Sequence, residues 1–152
     1  MNYIKEVIII VNSMYWILGI VWYLLVVIGA WKMFEKAGEA GWKAIIPIYN
    51  MYIVFKFAWQ TMYFWVWIGL AIVGAWFTYA SFGDSFGFMY YASWIINFVQ
   101  LLIACNLAFR VSGWFGHGIW FALGLYFFPF IFTIVLGFGS SRYVGEYNSF
   151  TA

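Results

Sequence analysis

Four apolar stretches, residues 14–34, 60–79, 89–112 and 119–136, constrain this chain more than any other feature it has. A helix rises 1.5 Å per residue, so a run of ~20 apolar residues is enough to cross a hydrocarbon core of ~30 Å. Only 8% of the residues are charged, where soluble domains carry about a quarter. Five acids and seven bases cannot clothe a chain of 152 residues in water, so lipid is the outer solvent. In lipid every backbone group must be satisfied internally, which leaves helices or closed barrels. The runs do not alternate as barrel strands do, so the expected fold class is all-α. The expectation is a single domain over residues 1–152: an integral membrane bundle of four transmembrane helices with an interfacial or re-entrant segment, 41–57, after the first.

The first stretch has a lead-in in which Tyr3, Ile4, Val7, Ile8 and Val11 recur at helical spacing, so it either lies along the membrane surface or continues the helix. Asn12 and Ser13 suit the N-cap of a helix starting there. Glycine-rich turns of hairpin length, 81–87 and 113–118, separate the later stretches and make neighbours antiparallel. Pro129 lies inside the fourth stretch, where its missing N–H and its ring predict a kink. Lys32, Lys36, Lys43, Lys56 and Arg110 gather at one set of helix ends, against Lys5 and Arg142 at the other. By the positive-inside rule the first set is cytoplasmic and both termini face outward. Tyr and Trp crowd the helix ends, as interfacial rings do. The echo of residues 26–31 in 71–76 is coincidence in so apolar a chain.

Within 41–57, Gly41 follows the end of one helix and Pro47 can open the next. Trp42 and Lys43 suit the headgroup region, and Tyr49 and Asn50 offer a hydroxyl and an amide for exposed backbone or a ligand. Lys56 is placed to snorkel or to meet anionic lipid. Asn97, Gln100 and Asn106 are the strongly polar groups deep in a predicted span, with Arg110 near its end. At 100° per residue Asn97 and Gln100 share one face and Asn106 and Arg110 another. Such groups act as interhelical glue. Small residues (Gly69, Ala71, Gly74 and Ala75; Gly118, Ala122 and Gly124) allow close helix approach.

No catalytic constellation emerges. Cys105 lies alone in an apolar run, and His117, the single histidine, has no carboxylate or thiol at metal-ligand spacing. The acids Glu6, Glu35, Glu39, Asp84 and Glu146 fall outside the predicted spans; Asp84 and Glu146 could meet on the outer face, but neither has a base or nucleophile beside it. The absence of a carboxylate at bilayer depth disfavours a proton- or cation-coupled transporter. No cofactor is expected. The net charge of +2 is dispersed, which argues against nucleic acid.

Phe34-Glu35-Lys36-Ala37-Gly38, the block from Gly41 to Tyr52, Phe128-Pro129-Phe130 and Leu136-Gly137-Phe138-Gly139 resemble an uncharacterised family of small bacterial membrane proteins. The resemblance runs from the first helix to Tyr143. In some bacteria a similar region is fused ahead of a signal peptidase I. It implies a four-helix domain of the bacterial cytoplasmic membrane, close to protein export. No serine–lysine pair of a peptidase is identifiable, so that activity does not carry over. Tryptophan-rich sensory proteins share size and composition, but their proline-rich tryptophan motif and fifth helix are missing.

The expected function is therefore non-catalytic: helix–helix contact, as an accessory subunit or self-associating scaffold, with membrane lipids and other membrane subunits or itself as partners. The alternative is a channel or carrier for an ion or small molecule, lined by Asn97, Gln100 and the Tyr49–Asn50 pair. Lipid binding at Trp42 and Lys43 is a third reading.

Overall fold

The computed structural model describes residues 2–82 and 87–144. Within them the chain is helical: α1 (Asn2–Lys36), a short 3-10 turn (Gly41–Ala44), α2 (Pro47–Ala58), α3 (Thr61–Ala80), α4 (Phe88–Trp114), α5 (Ile119–Phe127) and α6 (Pro129–Phe138). Three of these, α1, α3 and α4, are long and apolar enough to cross a membrane. The expected 60–79 and 89–112 stretches correspond to α3 and α4 with ends shifted by a residue or two. The expected 14–34 helix is extended instead: α1 is continuous over 35 residues, about 52 Å. Asn12 and Ser13 therefore do not cap it. Ser13 lies mid-helix and its hydroxyl donates to the Ile9 carbonyl at 2.8 Å, which removes the polar group's reason to end the helix.

The expected fourth span, 119–136, is not one helix. The chain breaks at Phe128 (φ −131°, ψ 57°), and Pro129 opens α6 at its first turn, so the anticipated kink is a full reversal. Gly124 faces the Phe132 ring, and the Phe121 and Phe132 rings meet edge to face at 4.9 Å. Beyond the helices, His117 Nε2 lies 2.7 Å from Ser141 Oγ, and the Val144 amide donates to the Trp114 carbonyl at 2.8 Å. The chain thus enters and leaves this hairpin at the same end of the bundle. With 9 and 10 residues, its arms are about 13 and 15 Å long, half of a ~30 Å core.

The 41–57 segment is built the same way. The Trp31 ring covers Gly41, and the Ile45 carbonyl accepts a hydrogen bond from the Tyr23 hydroxyl at 2.9 Å. The chain therefore runs back along α1 before α2 returns it to the end of the bundle. There Phe57 meets Phe34 at 6.0 Å and Lys56 meets Glu39. Each hairpin follows a helix that stops on a left-handed glycine, Gly38 (φ 77°) after α1 and Gly116 (φ 71°) after α4. Paired bonds satisfy the last carbonyls: Gly38 to Glu35 and Glu39 to Phe34, Gly116 to Gly113 and His117 to Ser112. Each return helix opens on a proline, whose absent N–H would have been unpaired there anyway.

Neighbouring helices run α1, α6, α5, α4, α3, with α2 against α3 and α4. Apart from the 3-10 turn, the backbone of α1 lies close only to α6, and side chains such as Phe34 reach α2 at the basic end. The α1–α6 contact is backbone on backbone: Gly137 lies against the Gly29 carbonyl, and a β-carbon on Gly29 would sit 2.8 Å from Ile134 Cα. Below it, Lys36 Nζ donates to the Leu136 and Gly139 carbonyls at 2.5 and 2.7 Å, caring for the open carbonyls at the end of α6. The core lies at this end, with Phe34, Ile53, Phe55 and Leu136 fully buried. Gly137→Ala must push two backbones apart and is expected to destabilise by about 1–3 kcal/mol. Gly69→Ala, with open space around it, is expected to be neutral or slightly stabilising; thermal melts in mild detergent distinguish the two.

Candidate functional site

The residues singled out by the sequence fall into three places. The first is the surface of the 41–57 hairpin. Trp42, Tyr49 and Tyr52 form a stack with ring centroids 6.1 and 5.7 Å apart. Beside it Glu39 accepts from Lys43 at 2.5 Å and from Lys56 at 2.6 Å. Lys43 thus answers a carboxylate four residues earlier, and Lys56 ties the end of α2 to the loop after α1. Asn50 Nδ2 donates to the Ala44 carbonyl at 3.3 Å across the hairpin tip. At that tip Ile45, Ile46 and Ile48 are 48, 49 and 68% exposed, an arrangement stable against hydrocarbon and costly against water.

The second place is α4. Gln100 Nε2 donates to the Trp67 carbonyl at 3.4 Å, a contact between α4 and α3. Asn97 is exposed, with its amide oxygen edging the Gly74 crossing point, where α3 and α4 approach closely enough for a β-carbon on Gly74 to reach Ile96 at 2.9 Å. No hydrogen bond from Asn97 to another described residue is formed. On another side, Arg110 Nε donates to Asn106 Oδ1 at 2.8 Å, and the guanidinium lies 4.7 Å from the Trp59 ring centroid. The two pairs do not converge on one path.

The third place was not visible from sequence. A cavity of about 710 Å³ lies between α1 and the rest of the bundle, within the range of ligand sites. The wall includes Ala30 and Met33 of α1, Met51 of α2, Leu107 and Ala108 of α4, and the hairpin tips Pro47 and Pro129. It exists because α1 meets neither α3 nor α4. Of the eight candidate residues only Asn50 reaches it. Nothing in the pattern of Ala, Val, Leu and Met along these helices separates a cavity wall from a packed interface.

Reactive groups are sparse and structurally engaged. His117 stacks on Phe121 at 4.1 Å and bonds Ser141, and burial holds its pKa below the ordinary 6.5. Tyr143 stacks on Trp114 at 5.5 Å, and burial raises its pKa. Trp114 Nε1 in turn donates to the Ala58 carbonyl at 2.9 Å, tying the end of α2 to the end of α4. Among the described residues no three His, Cys, Asp or Glu side chains gather as metal ligands. The Asp84–Glu146 approach considered from sequence lies outside the described residues.

The sequence model of a family of unknown function, DUF5684, matches residues 42–146. No curated protein and no solved structure matches the chain.

The Glu39 cluster has a defined pH behaviour. Hydrogen bonds from Lys43 and then Lys56 hold the Glu39 carboxyl below its ordinary 4.5, outweighing burial; the same bond and charge raise Lys56 above 10.5. A lowered acid pKa contributes stability that is present above the ordinary carboxylate range and lost as pH falls through the lowered value. The raised lysine contributes below its ordinary value and loses this as pH rises through the raised one. Glu39→Gln is therefore expected to cost about 1 kcal/mol at neutral pH. In melts at decreasing pH the gap between variant and parent is expected to close only below pH 4.5.

Proposed function

The chain belongs to DUF5684, and we propose that it is a non-catalytic integral membrane protein that works through helix–helix contact, as an accessory subunit or a self-associating scaffold. One observation carries this reading: Asn97, nine residues into a 27-residue apolar helix, is exposed and its side chain forms no hydrogen bond to another described residue. At bilayer depth water is not there to take the amide, so a hydrogen-bonding helix alongside is the favourable partner. The exposed stretch 3–25 of α1, without a helix of its own chain beside it, supplies further contact surface.

The membrane topology that fits is three crossings, by α1, α3 and α4, with 41–57 and α5–α6 as re-entrant hairpins dipping in from the basic end. Lys32, Lys36, Lys43, Lys56, Arg110 and Arg142 lie at that end, which makes it cytoplasmic by the positive-inside rule. Tyr3 is then outside and Val144 inside, in place of the shared outward face that four crossings would give. The bacterial cytoplasmic membrane and the vicinity of protein export, implied by the sequence resemblance, complete the reading. A channel is less favoured because Asn97 and Gln100 stand outside the cavity and Gln100 is spent on a backbone carbonyl.

Asn97→Leu is expected to shift the particle to a smaller mass, or to lose its co-purifying subunit, in mild detergent; unchanged mass with a strictly monomeric parent overturns the scaffold reading. In a Cys105→Ala background, Lys5→Cys and Arg142→Cys are expected to react with an impermeant maleimide from opposite faces of sealed vesicles. Reaction from the same face overturns the topology.

A further inference from the structure

We propose that the cavity between α1 and the two hairpins holds an acyl chain of an anionic phospholipid, with the headgroup left at the basic end of the bundle. The chain enters from the side. Trp22 and Tyr23 on α1 and Phe130 at the tip of α6 line the cavity and are 46, 47 and 56% exposed, so the opening lies at hydrocarbon depth. No described helix closes it, because the backbone of α1 approaches neither α3 nor α4.

The lining selects the filler. Tyr23 spends its hydroxyl proton on the Ile45 carbonyl, and Asn50 donates to Ala44; beyond these, the lining residues with a polar side-chain atom are Tyr126, Thr133 and, through their indole N–H, Trp22 and Trp67. Water needs two to four polar partners to settle in a void, and apolar voids stay dry. The cleft opens sideways to hydrocarbon, and leaving its apolar wall bare would forfeit packing contacts. A flexible hydrocarbon chain drawn from the adjoining leaflet fills it at no cost in desolvation. The length fits the same leaflet: the wall along α1 runs from Trp22 to Met33, about 16 Å at 1.5 Å per residue, roughly half of the ~30 Å core.

Charge selects the headgroup. Six of the seven bases lie at the end where this leaflet meets water, with Glu35 and Glu39 as the acids there among the described residues, and basic residues near the surface attract anionic lipid. The cavity supplies the apolar half of an amphiphile's recognition and the helix ends supply the charged half.

The probe is a phosphatidylglycerol carrying a diazirine midway along one acyl chain, mixed into phosphatidylcholine vesicles holding the full-length protein. Irradiation followed by peptide mass spectrometry is expected to place adducts on Met33, Met51 and Leu107, inside the cavity. Ala108→Trp, which fills the space, is expected to lower those adducts about tenfold while adducts on the outward-facing Ile95 stay the same. Ala104→Phe serves as a second filler if the first variant does not fold. The same diazirine chain on phosphatidylcholine is expected to label the cavity less. Adducts confined to outer faces, or cavity adducts insensitive to both fillers, overturn the site; equal labelling by the two headgroups overturns its anionic preference. Asn97→Leu is expected to label as the parent does, so failure here is separable from failure of the helix-contact reading.

Discussion

The close crossing of α1 and α6 at Gly29 and Gly137 is the contact on which the architecture depends. With the 3-10 turn and the Phe34 contact to α2, it holds a 35-residue helix to the body of the protein. Lipid offers no hydrophobic drive for helices to associate, so what holds them is short-range contact and hydrogen bonding. Two glycines bring the backbones within touching distance, and Lys36 then reaches the last carbonyls of α6. Because this attachment is local, α1 diverges from α3 and α4, and the divergence opens the cavity. Attachment and void are one geometric fact.

The two hairpins follow from the rule that backbone in lipid satisfies itself. A chain that turns back at mid-depth leaves amides and carbonyls exposed at its tip unless something removes or occupies them. Here proline removes an amide at each return, and Tyr23 and Asn50 occupy the carbonyls of Ile45 and Ala44. At the other end, left-handed glycines close the preceding helices so that the chain can reverse at once. The aromatic residues Trp114, Phe115 and Tyr143 then lock the hairpin ends against Phe57. Most polar side chains of the described residues are engaged in holding the fold, with Asn97 the exception on α4.

Much of this was legible in the residues. The positions of α3 and α4 follow from hydropathy alone, and Gly41 and Pro47 announce a special segment. The reversal at Phe128 was not legible, because a proline in an apolar run reads equally as a kink in a crossing helix, and hydropathy is blind to whether a chain that reaches mid-depth goes on or returns. The pairing of Gly38 with Pro47 and of Gly116 with Pro129 was the available signal, a stop followed by a proline start, twice over. α1 was underestimated since Asn12 and Ser13 look like a boundary, and only the structure shows Ser13 folded onto its own helix. Of the candidate site residues, Asn97 and Gln100 stood out as polar in an apolar helix, but which of them finds a partner within the chain depends on packing. The cavity is invisible in sequence for a plain reason: its wall and a helix interface use the same side chains.

In the proposed three-crossing topology, three helices fill one half of the bundle's depth, while the seven described segments crowd the other. A body of that shape is a wedge. Set in a bilayer, it displaces more lipid from one leaflet than from the other, so it relieves lateral pressure where the membrane bends away from the broad end and raises it where the membrane bends toward it. In that topology, the folding-back of two short segments gives a shape that favours curvature, with no residue devoted to sensing it.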